Sequence, residues 1–387
     1  MQGKGVLIVS LFFRPNIGGI ETHLTDLLKE LSERQVNTFV VTFQPLTGTA
    51  KSRTFDKENS ARIYRLPNPL FNFYYRLDRH ALMRYLILSP LLFAGSMAVM
   101  IKHRKSIQVM HGHNYVAAPV VAILSKIFST RSVITIYDTH DYFTGGKGPV
   151  GYVAKVILSS FRSVIAISNK GKEEIETLGI DSERVSVMTF WIDLDAFKPD
   201  ETRGGKFTFS KIGNPAFLFV GRLTESKGAG LMLQVAKQLK RDSGIQISFI
   251  GQGPLESEIR KCSNKNGTVL YLGAFRSEEL RHFYNRADAT VFPSIHEEGY
   301  GRVIMESLAC GTPVLASRRG AITEVIDQSV GILFEPEVNE LLQTIESVSR
   351  EVSILKELAE NCREYALRRF GKHNVDTVIK AYAFGNP

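Results

Sequence analysis

Short apolar runs of strand length alternate along this chain with longer stretches whose apolar residues recur every three or four positions. Val6 to Ser10 is the first such run. The loop Leu11 to Gly19 follows, then a helical pattern from Ile20 to about Arg34 with Ile20, Leu24, Leu27, Leu28 and Leu31 on one face. Thr38 to Thr42 is the next run. A buried strand, a helix and a second buried strand in that order predict a parallel sheet with crossover helices. Strands are predicted again at Gln108–His111, Ser132–Ile136, Val164–Ile167 and Val185–Met188. Helices are predicted over Val116–Phe128 and from the cap Ser168 to about Leu178. The polar stretch Asp200 to Gly213, with Gly204-Gly205, predicts a linker between domains. After it the pattern restarts, with strands at Ala216–Val220, Gln246–Ile250, Val269–Leu272, Ala289–Phe292, Pro313–Ala316 and Gly331–Phe334. Three amphipathic helices close the chain, at Val338–Arg350, Leu355 to about Phe370 and His373–Ala383.

Two segments depart from this alternation. Thr47 to Ser60 is polar and charged and predicts a surface loop. Asp78 to Lys105 is helix-like and includes Tyr85 to Ile101, seventeen residues without a charge. That length is at the short limit for crossing a bilayer, and Ser89, Pro90 and Gly95 fall inside it. The favoured reading is a buried helix of the N-terminal domain, interrupted near Pro90. An interfacial element, with Arg76, Arg79, Arg84, Lys102, Arg104 and Lys105 touching lipid headgroups, is compatible with it.

Composition adds a bound and a direction. A chain of 387 residues with an apolar fraction of 44% is expected to form two domains, each with its own core. Cys262, Cys310 and Cys362 are odd in number and far apart, which argues against a disulfide framework or a zinc site and fits a reducing cytoplasm. Gly5 to Phe13 lacks the cleavage pattern of a secretory signal, so a cytoplasmic location is expected. The net charge is +9. Residues 51–105 carry eleven Lys and Arg against three acidic residues, so most of the excess sits in one segment. A basic patch seeks an acidic surface. No nucleic-acid motif accompanies it, so the expected contact of 51–105 is peripheral, with the inner face of the cell membrane or with a phosphate-bearing acceptor.

Candidate chemistry concentrates between Pro293 and Val314. Gly299 and Gly301 mark a tight turn, and Arg302 to Cys310 reads as a helix ended by Gly311. Val303, Ile304, Met305, Leu308 and Ala309 cover most of its circumference, so Glu306 lies on a narrow polar strip and needs partners. Glu298 precedes it on the turn. Two carboxylates, bare backbone and a helix N-terminus suit the hydroxyls and phosphates of a nucleotide sugar. Arg222 and Lys227, after the strand Ala216–Val220, suit a diphosphate, with Arg forking two oxygens and Lys acting as a point charge. Gly251-Gln252-Gly253 begins a dinucleotide fingerprint, but Glu256 stands at its third glycine, which argues against an NAD site. Gly18-Gly19 follows the first strand, where open sheets let a ligand approach backbone. His111 and His113 flank Gly112 with no carboxylate or Cys cluster nearby; metal is set aside and hydrogen bonding to a substrate is kept.

Glu298 and Glu306 with seven residues between them, flanked by Pro293-Ser294, Glu298-Gly299-Tyr300-Gly301 and Ala309-Cys310-Gly311-Thr312-Pro313-Val314, resemble the paired-glutamate signature of the retaining family-4 glycosyltransferases, the group 1 glycosyl transferases. The resemblance covers nearly the whole chain. It is tightest from Gly221 to Glu324 and looser before Gln108. It implies the GT-B fold, an α/β architecture of two Rossmann-like doubly wound parallel-sheet domains facing a cleft. Residues 1–200 would bind acceptor, with a last helix at about 372–387 crossing back, and 201–371 would bind donor.

The resemblance also assigns roles. Arg222 and Lys227 become the diphosphate clamp. Gly18, Gly19, Gly253, Phe275, Gly299, Tyr300 and Gly301 line the donor site, Glu306 holds ribose, and Glu298 holds the donor sugar. His113 joins Glu298, Arg222 and Lys227 in the catalytic set. The family tends to carry a histidine where Tyr137 stands, so Tyr137 and His140 are the acceptor-side candidates. Phe190 and Trp191 replace the Asn-Gly of a hinge-proximal segment that ends at Asp193, and in Ser317 to Glu324, which resembles a family loop with two glycines, Ala321 takes the place of the second. The implied activity is retaining, metal-independent transfer of a sugar from a nucleotide-sugar donor to a hydroxyl of a glycan or lipid-linked acceptor, in cell-surface polysaccharide or glycolipid synthesis. No cofactor, metal or nucleic-acid partner is expected. The alternative is a non-catalytic sugar-nucleotide-binding or scaffold protein of a glycan assembly complex, for which the departures at Tyr137 and Phe190 leave room.

Overall fold

The computed structural model describes residues 4–16, 18–46, 52–58, 60–70, 81–137, 149–200, 215–240, 243–263 and 268–384. The chain forms two compact units, residues 1–191 with 372–387, and residues 192–371. The expected boundary lay at 200; the observed one lies at Trp191/Ile192. The reason is local bonding. Ile192 N donates to Phe370 O, Arg363 donates to the carbonyls of Leu194 and Phe197, and Asp200 N donates to Asn285 Oδ1. These bonds tie 192–200 to the second unit.

In unit 1 the order along the chain is β1 (Gly5–Ser10), α1 (Gly19–Glu33), β2 (Asn37–Phe43), β3 (Phe55–Glu58), β4 (Ala61–Leu66), α2 (Ala81–His103), β5 (Val109–His113), α3 (Ala118–Phe128), β6 (Arg131–Ile136), α4 (Pro149–Leu158), β7 (Ser163–Ala166), α5 (Asn169–Thr177) and β8 (Val185–Val187). The strands lie in the order β3-β4-β2-β1-β5-β6-β7-β8, and only β3 is antiparallel to its neighbour. Apolar runs such as Val6–Val9 and Phe39–Val41 are buried on both faces of the sheet, as a parallel sheet under two helix layers requires.

The expected loop Thr47–Ser60 contains β3, a short charged edge strand paired with β4. β4 itself escaped the apolar pattern because Arg65 occupies an inward position, ion-paired with Asp56 of β3. The helix expected to break near Pro90 runs continuously from Ala81 to His103. It is long and apolar enough by composition to cross a membrane, yet only 28% of its Leu86–His103 stretch is buried, against the expectation of a buried helix.

Unit 2 runs β9 (Ala216–Val220), α6 (Ala229–Gln238), β10 (Gln246–Ile250), α7 (Glu256–Ser263), β11 (Val269–Gly273), α8 (Ser277–Tyr284), β12 (Ala289–Phe292), α9 (Arg302–Ala309), β13 (Val314–Ser317), α10 (Ile322–Val325), β14 (Gly331–Phe334), α11 (Val338–Arg350) and α12 (Ser353–Arg369). Its strands are all parallel, in the order β11-β10-β9-β12-β13-β14. The last helix, α13 (Val375–Tyr382), belongs to unit 1. In each sheet the direction of strand addition reverses once, between β1 and β5 and between β9 and β12. Loops leaving the two central strands diverge there, which opens a crevice at the strands' C-terminal edge.

Candidate functional site

The reversal point of unit 2 is flanked by the loop 221–228 after β9 and the loop 293–301 after β12. The two loops are bonded together. Ile295 N and His296 N donate to Ser226 O at 3.0 and 3.2 Å, and Ser294 Oγ lies 3.1 Å from the same carbonyl. Gly228 makes this approach feasible: its φ is +75°, and a Cβ there would stand 1.8 Å from Pro293 O. Across this junction Lys227 Nζ donates to Glu298 Oε1 at 2.5 Å, and Ser294 Oγ donates to the same oxygen at 2.6 Å.

Glu298 is also fixed through its backbone. Its carbonyl accepts from Ala321 N at 2.9 Å, and Gly320, at φ +55°, comes so close that a Cβ would lie 2.3 Å from that carbonyl. The Gly320-Ala321 loop therefore keeps the one glycine that the contact needs. Lys227 and Glu298 both retain partial exposure, at 27% and 11% of their side chains. A ligand can reach the pair, and the pair already holds opposite charges side by side. Arg222, on the same loop as Lys227, is exposed and has no carboxylate partner among the described residues.

Glu306 is placed differently. It is 2% exposed, on α9, whose N-cap is Gly301. Its Oε2 accepts from Tyr284 OH at 2.9 Å, and its Oε1 accepts from Arg302 Nε at 2.9 Å and from Ser277 Oγ at 3.4 Å. The partners that a buried carboxylate demands are thus supplied by α8 and by the preceding turn of α9. Burial, then the neighbouring Glu306 charge, pushes the Tyr284 phenol well up, so it stays a donor. Tyr300, expected to line the donor site, has its ring buried with its edge to Phe370, so its side chain braces the turn. Phe275 is 37% exposed beyond β11 and packs on Phe283 at 4.4 Å between centroids. Gly253 lies beneath Leu223, whose N donates to Gln252 O at 2.9 Å, so the loops after β9 and β10 are also joined. Gly299 is partly exposed on the turn between Glu298 and Gly301.

The reversal point of unit 1 has another chemistry. Gly18 caps α1 and exposed Gly19 begins it. His111 and His113 sit on β5, their rings 4.1 Å apart, both buried. His111 hydrogen-bonds Tyr382 OH and Thr135 Oγ1, each at 2.8 Å, and His113 Nδ1 hydrogen-bonds Tyr137 OH at 2.7 Å. Tyr137 therefore spends its polar tip on His113; His140 lies outside the described residues. His23 of α1 was not singled out in the sequence. It packs against Phe190 at 4.6 Å and Trp191 at 4.9 Å, so the two residues that replace the familial Asn-Gly pack on an imidazole. Only the departure at 190–191 hinted at such a partner. Burial holds the imidazole of His111 down to about 3, and that of His113 well below its usual range, so both are neutral at ordinary pH. Among the described residues no group of three or more His, Cys, Asp or Glu could hold a metal ion.

Comparison with known proteins agrees with this architecture. The family described as Glycosyl transferases group 1 matches residues 206–369, and the one described as Glycosyltransferase Family 4 matches residues 17–196. One subunit of the human phosphatidylinositol N-acetylglucosaminyltransferase is 25% identical over 346 residues, spanning 88% of this chain and 67% of the human one. Among solved structures, sucrose-phosphate synthase from Thermosynechococcus elongatus superposes with a TM-score of 0.79 at 20% identity, covering 98% of each chain. Anabaena HepE, solved in complex with UDP-glucose, gives 0.70 at 21% identity, covering 97% of this chain and 99% of its own. With two family matches that together take in most of both units, and a GT-B-type pair of Rossmann-like folds beneath them, this chain belongs to the family 4 glycosyltransferases, the group 1 glycosyl transferases.

Proposed function

We propose that the chain is a retaining glycosyltransferase that carries a sugar from a nucleoside-diphosphate sugar to a hydroxyl of a glycan or lipid-linked acceptor, without a metal ion, in cell-surface polysaccharide or glycolipid synthesis. The observation that carries this reading is the Lys227–Glu298 pair, 2.5 Å apart at the reversal point of unit 2. A diphosphate drawn to Lys227 and Arg222 brings the sugar attached to it within reach of Glu298. Breaking the glycosidic bond leaves negative charge on the diphosphate. Lys227, Arg222 and the N-terminus of α9 stabilise that charge as it grows, which is where binding energy accelerates a reaction. Glu298, held by Ser294 and Lys227, accepts hydroxyls of the donor sugar. Ribose hydroxyls reach Glu306 by taking the place of Arg302, a partner whose side chain is 20% exposed. The acceptor hydroxyl attacks from the leaving-group face and gives its proton to a phosphate oxygen, which retains configuration.

UDP-glucose bound by Anabaena HepE supports a nucleoside-diphosphate sugar as donor. The likeness to one component of a phosphatidylinositol N-acetylglucosaminyltransferase supports a lipid-linked acceptor. The test is incubation with UDP-, GDP-, ADP- and TDP-sugars and a membrane lipid extract in EDTA, with the anomeric configuration of the product read by NMR. Transfer with retained configuration is expected. An inverted product, or activity abolished by EDTA and restored by magnesium, overturns the reading.

A further inference from the structure

We propose that the outer face of α2, α3 and α4 docks unit 1 on an anionic phospholipid bilayer, its apolar side chains entering the interface and its cationic rim meeting the headgroup phosphates. The first observation is exposure. Twelve large apolar residues are exposed among those described, and eight of them lie on these three helices: Leu86, Leu91 and Ile101 on α2, Ile123 and Ile127 on α3, and Tyr152, Val153 and Val156 on α4. The helices are neighbours, α3 packing against both α2 and α4, so the residues share one layer. Scattered apolar residues on a surface need no explanation, but a concentration of this kind marks a contact. Unit 2 shows the ordinary alternative. The exposed positions of α12 include Lys356, Glu357, Glu360, Glu364 and Arg368. On α2 the exposed described positions are Leu86, Pro90, Leu91, Ala94, Ala98 and Ile101, with Lys102 in the last turn the one charge among them.

Charge identifies the occupant. Between Asp78 and Glu173 the only acidic residues are Asp138 and Asp141, against twelve Lys and Arg. The three helices themselves carry no acidic residue. Their cations gather where the helices end, with Lys102 in the last turn of α2, Arg104 and Lys105 after it, Lys126 in α3 and Arg162 after α4. At that same end, Lys126, Arg131, Arg162 and Arg184 line a cavity of about 740 Å³. None of the four pairs with a carboxylate among the described residues. Burial and then the neighbouring Arg162 charge lower the Arg131 guanidinium, as expected for cations crowded without an anion.

A second copy of the chain fits this face poorly. An isologous contact would set its cations against each other with no acid to offset them. A transmembrane placement fits no better, because Leu88, Leu92, Val99 and Met100 of α2 are in the core of unit 1. A helix buried on one side, apolar on the other and bordered by Lys and Arg at its end lies on a bilayer. The membrane contact expected of 51–105 thereby moves: Arg65 is spent on Asp56 and Arg62 lies over the Phe39 ring, while α3 and α4 join α2.

Co-sedimentation of the full chain with phosphatidylcholine vesicles, with and without about 30 mol% phosphatidylglycerol, tests this. Binding to the anionic vesicles that weakens with added salt is expected. Ile127→Asp combined with Val156→Asp should weaken it on the order of tenfold or more, and Lys126→Glu with Arg162→Glu should do the same on the order of tenfold. All four positions are exposed or at a rim, and circular dichroism checks that the variants stay folded. No binding by the wild type, binding undiminished in both variants, or equal binding to pure phosphatidylcholine overturns the proposal. So does a dimer by light scattering that Ile127→Asp dissolves in a chain that ignores vesicles. The assay uses neither donor nor acceptor, so its failure leaves the transferase reading standing, and the reverse holds too.

Discussion

The two sheets reverse their strand order in the same way, yet they furnish the reversal point with opposite chemistry. In unit 2 the loops after β9 and β12 hold an ion pair that ligand can reach, Lys227 with Glu298, beside an exposed Arg222. In unit 1 the two histidines of β5 are buried and uncharged, His111 bonded to Tyr382 and Thr135 and His113 to Tyr137. The same topology thus offers one site that handles charge and one that supplies a rigid, neutral, hydrogen-bonded support. Partial exposure separates them. A charged pair left in contact with solvent can exchange partners for a ligand, whereas a buried polar network is costly to disturb.

The contrast can be broken at four points. The largest effect belongs to Lys227→Ala, which should lower kcat/KM by about a hundredfold to a thousandfold. The melting temperature should barely move, because a partly exposed ion pair contributes about 1 kcal/mol or less to stability. A large loss of stability would make the pair structural. Next comes Glu306→Ala. It removes the buried acceptor of Tyr284 and the ion pair with Arg302, so urea unfolding should show a loss of about 3 kcal/mol along with reduced activity. Unchanged stability would mean that the buried network is not what holds α8 to α9.

Acidification comes third. The folded chain keeps His111 neutral down to about 3, while the unfolded chain takes up a proton below its ordinary value of about 6.5. In that window the unfolded state binds more protons, so stability falls as pH drops and is fully present above it. Between about pH 7 and about pH 5 the loss from this one group should be about 2 kcal/mol, and His111→Phe should flatten the dependence. A pH-independent unfolding midpoint in the wild type would show that the imidazole is solvated. The smallest effect is that of Tyr137→Phe, which removes the bond to His113 and should cost about 1 kcal/mol. A marked fall in acceptor use with stability unchanged would instead give Tyr137 a place against substrate.

What the sequence disclosed and what it concealed follow from range. The alternation of strands and helices is local, so β1, β2, β5, β6 and the whole parallel sheet of unit 2 could be read directly. Glu298, Lys227 and Arg222 stand on loops after apolar strands, where topology alone puts ligands. The partners of Glu306 could not be read, because Tyr284 and Ser277 are on another helix whose register only the fold sets. The same holds for His23, which meets Phe190 and Trp191 from far along the chain. Tyr300 lies inside a motif that reads as ligand-binding, yet its ring faces Phe370 in the core. Charged residues hid β3 and β4, since the Asp56–Arg65 pair mimics a solvated loop. The charge-free stretch of α2 read as buried because sequence does not show which of its apolar positions the fold covers, and only 28% of Leu86–His103 is buried.

Isothermal titration of the full chain with UDP-, GDP-, ADP- and TDP-sugars in EDTA, repeated with Lys227→Ala, addresses the reversal point of unit 2 as a donor site. One nucleotide sugar should bind at a single site, and Lys227→Ala should weaken it by about a hundredfold or more. Equal affinity in the variant, or binding that appears only when magnesium is added, would contradict a donor site built on Lys227 and Glu298.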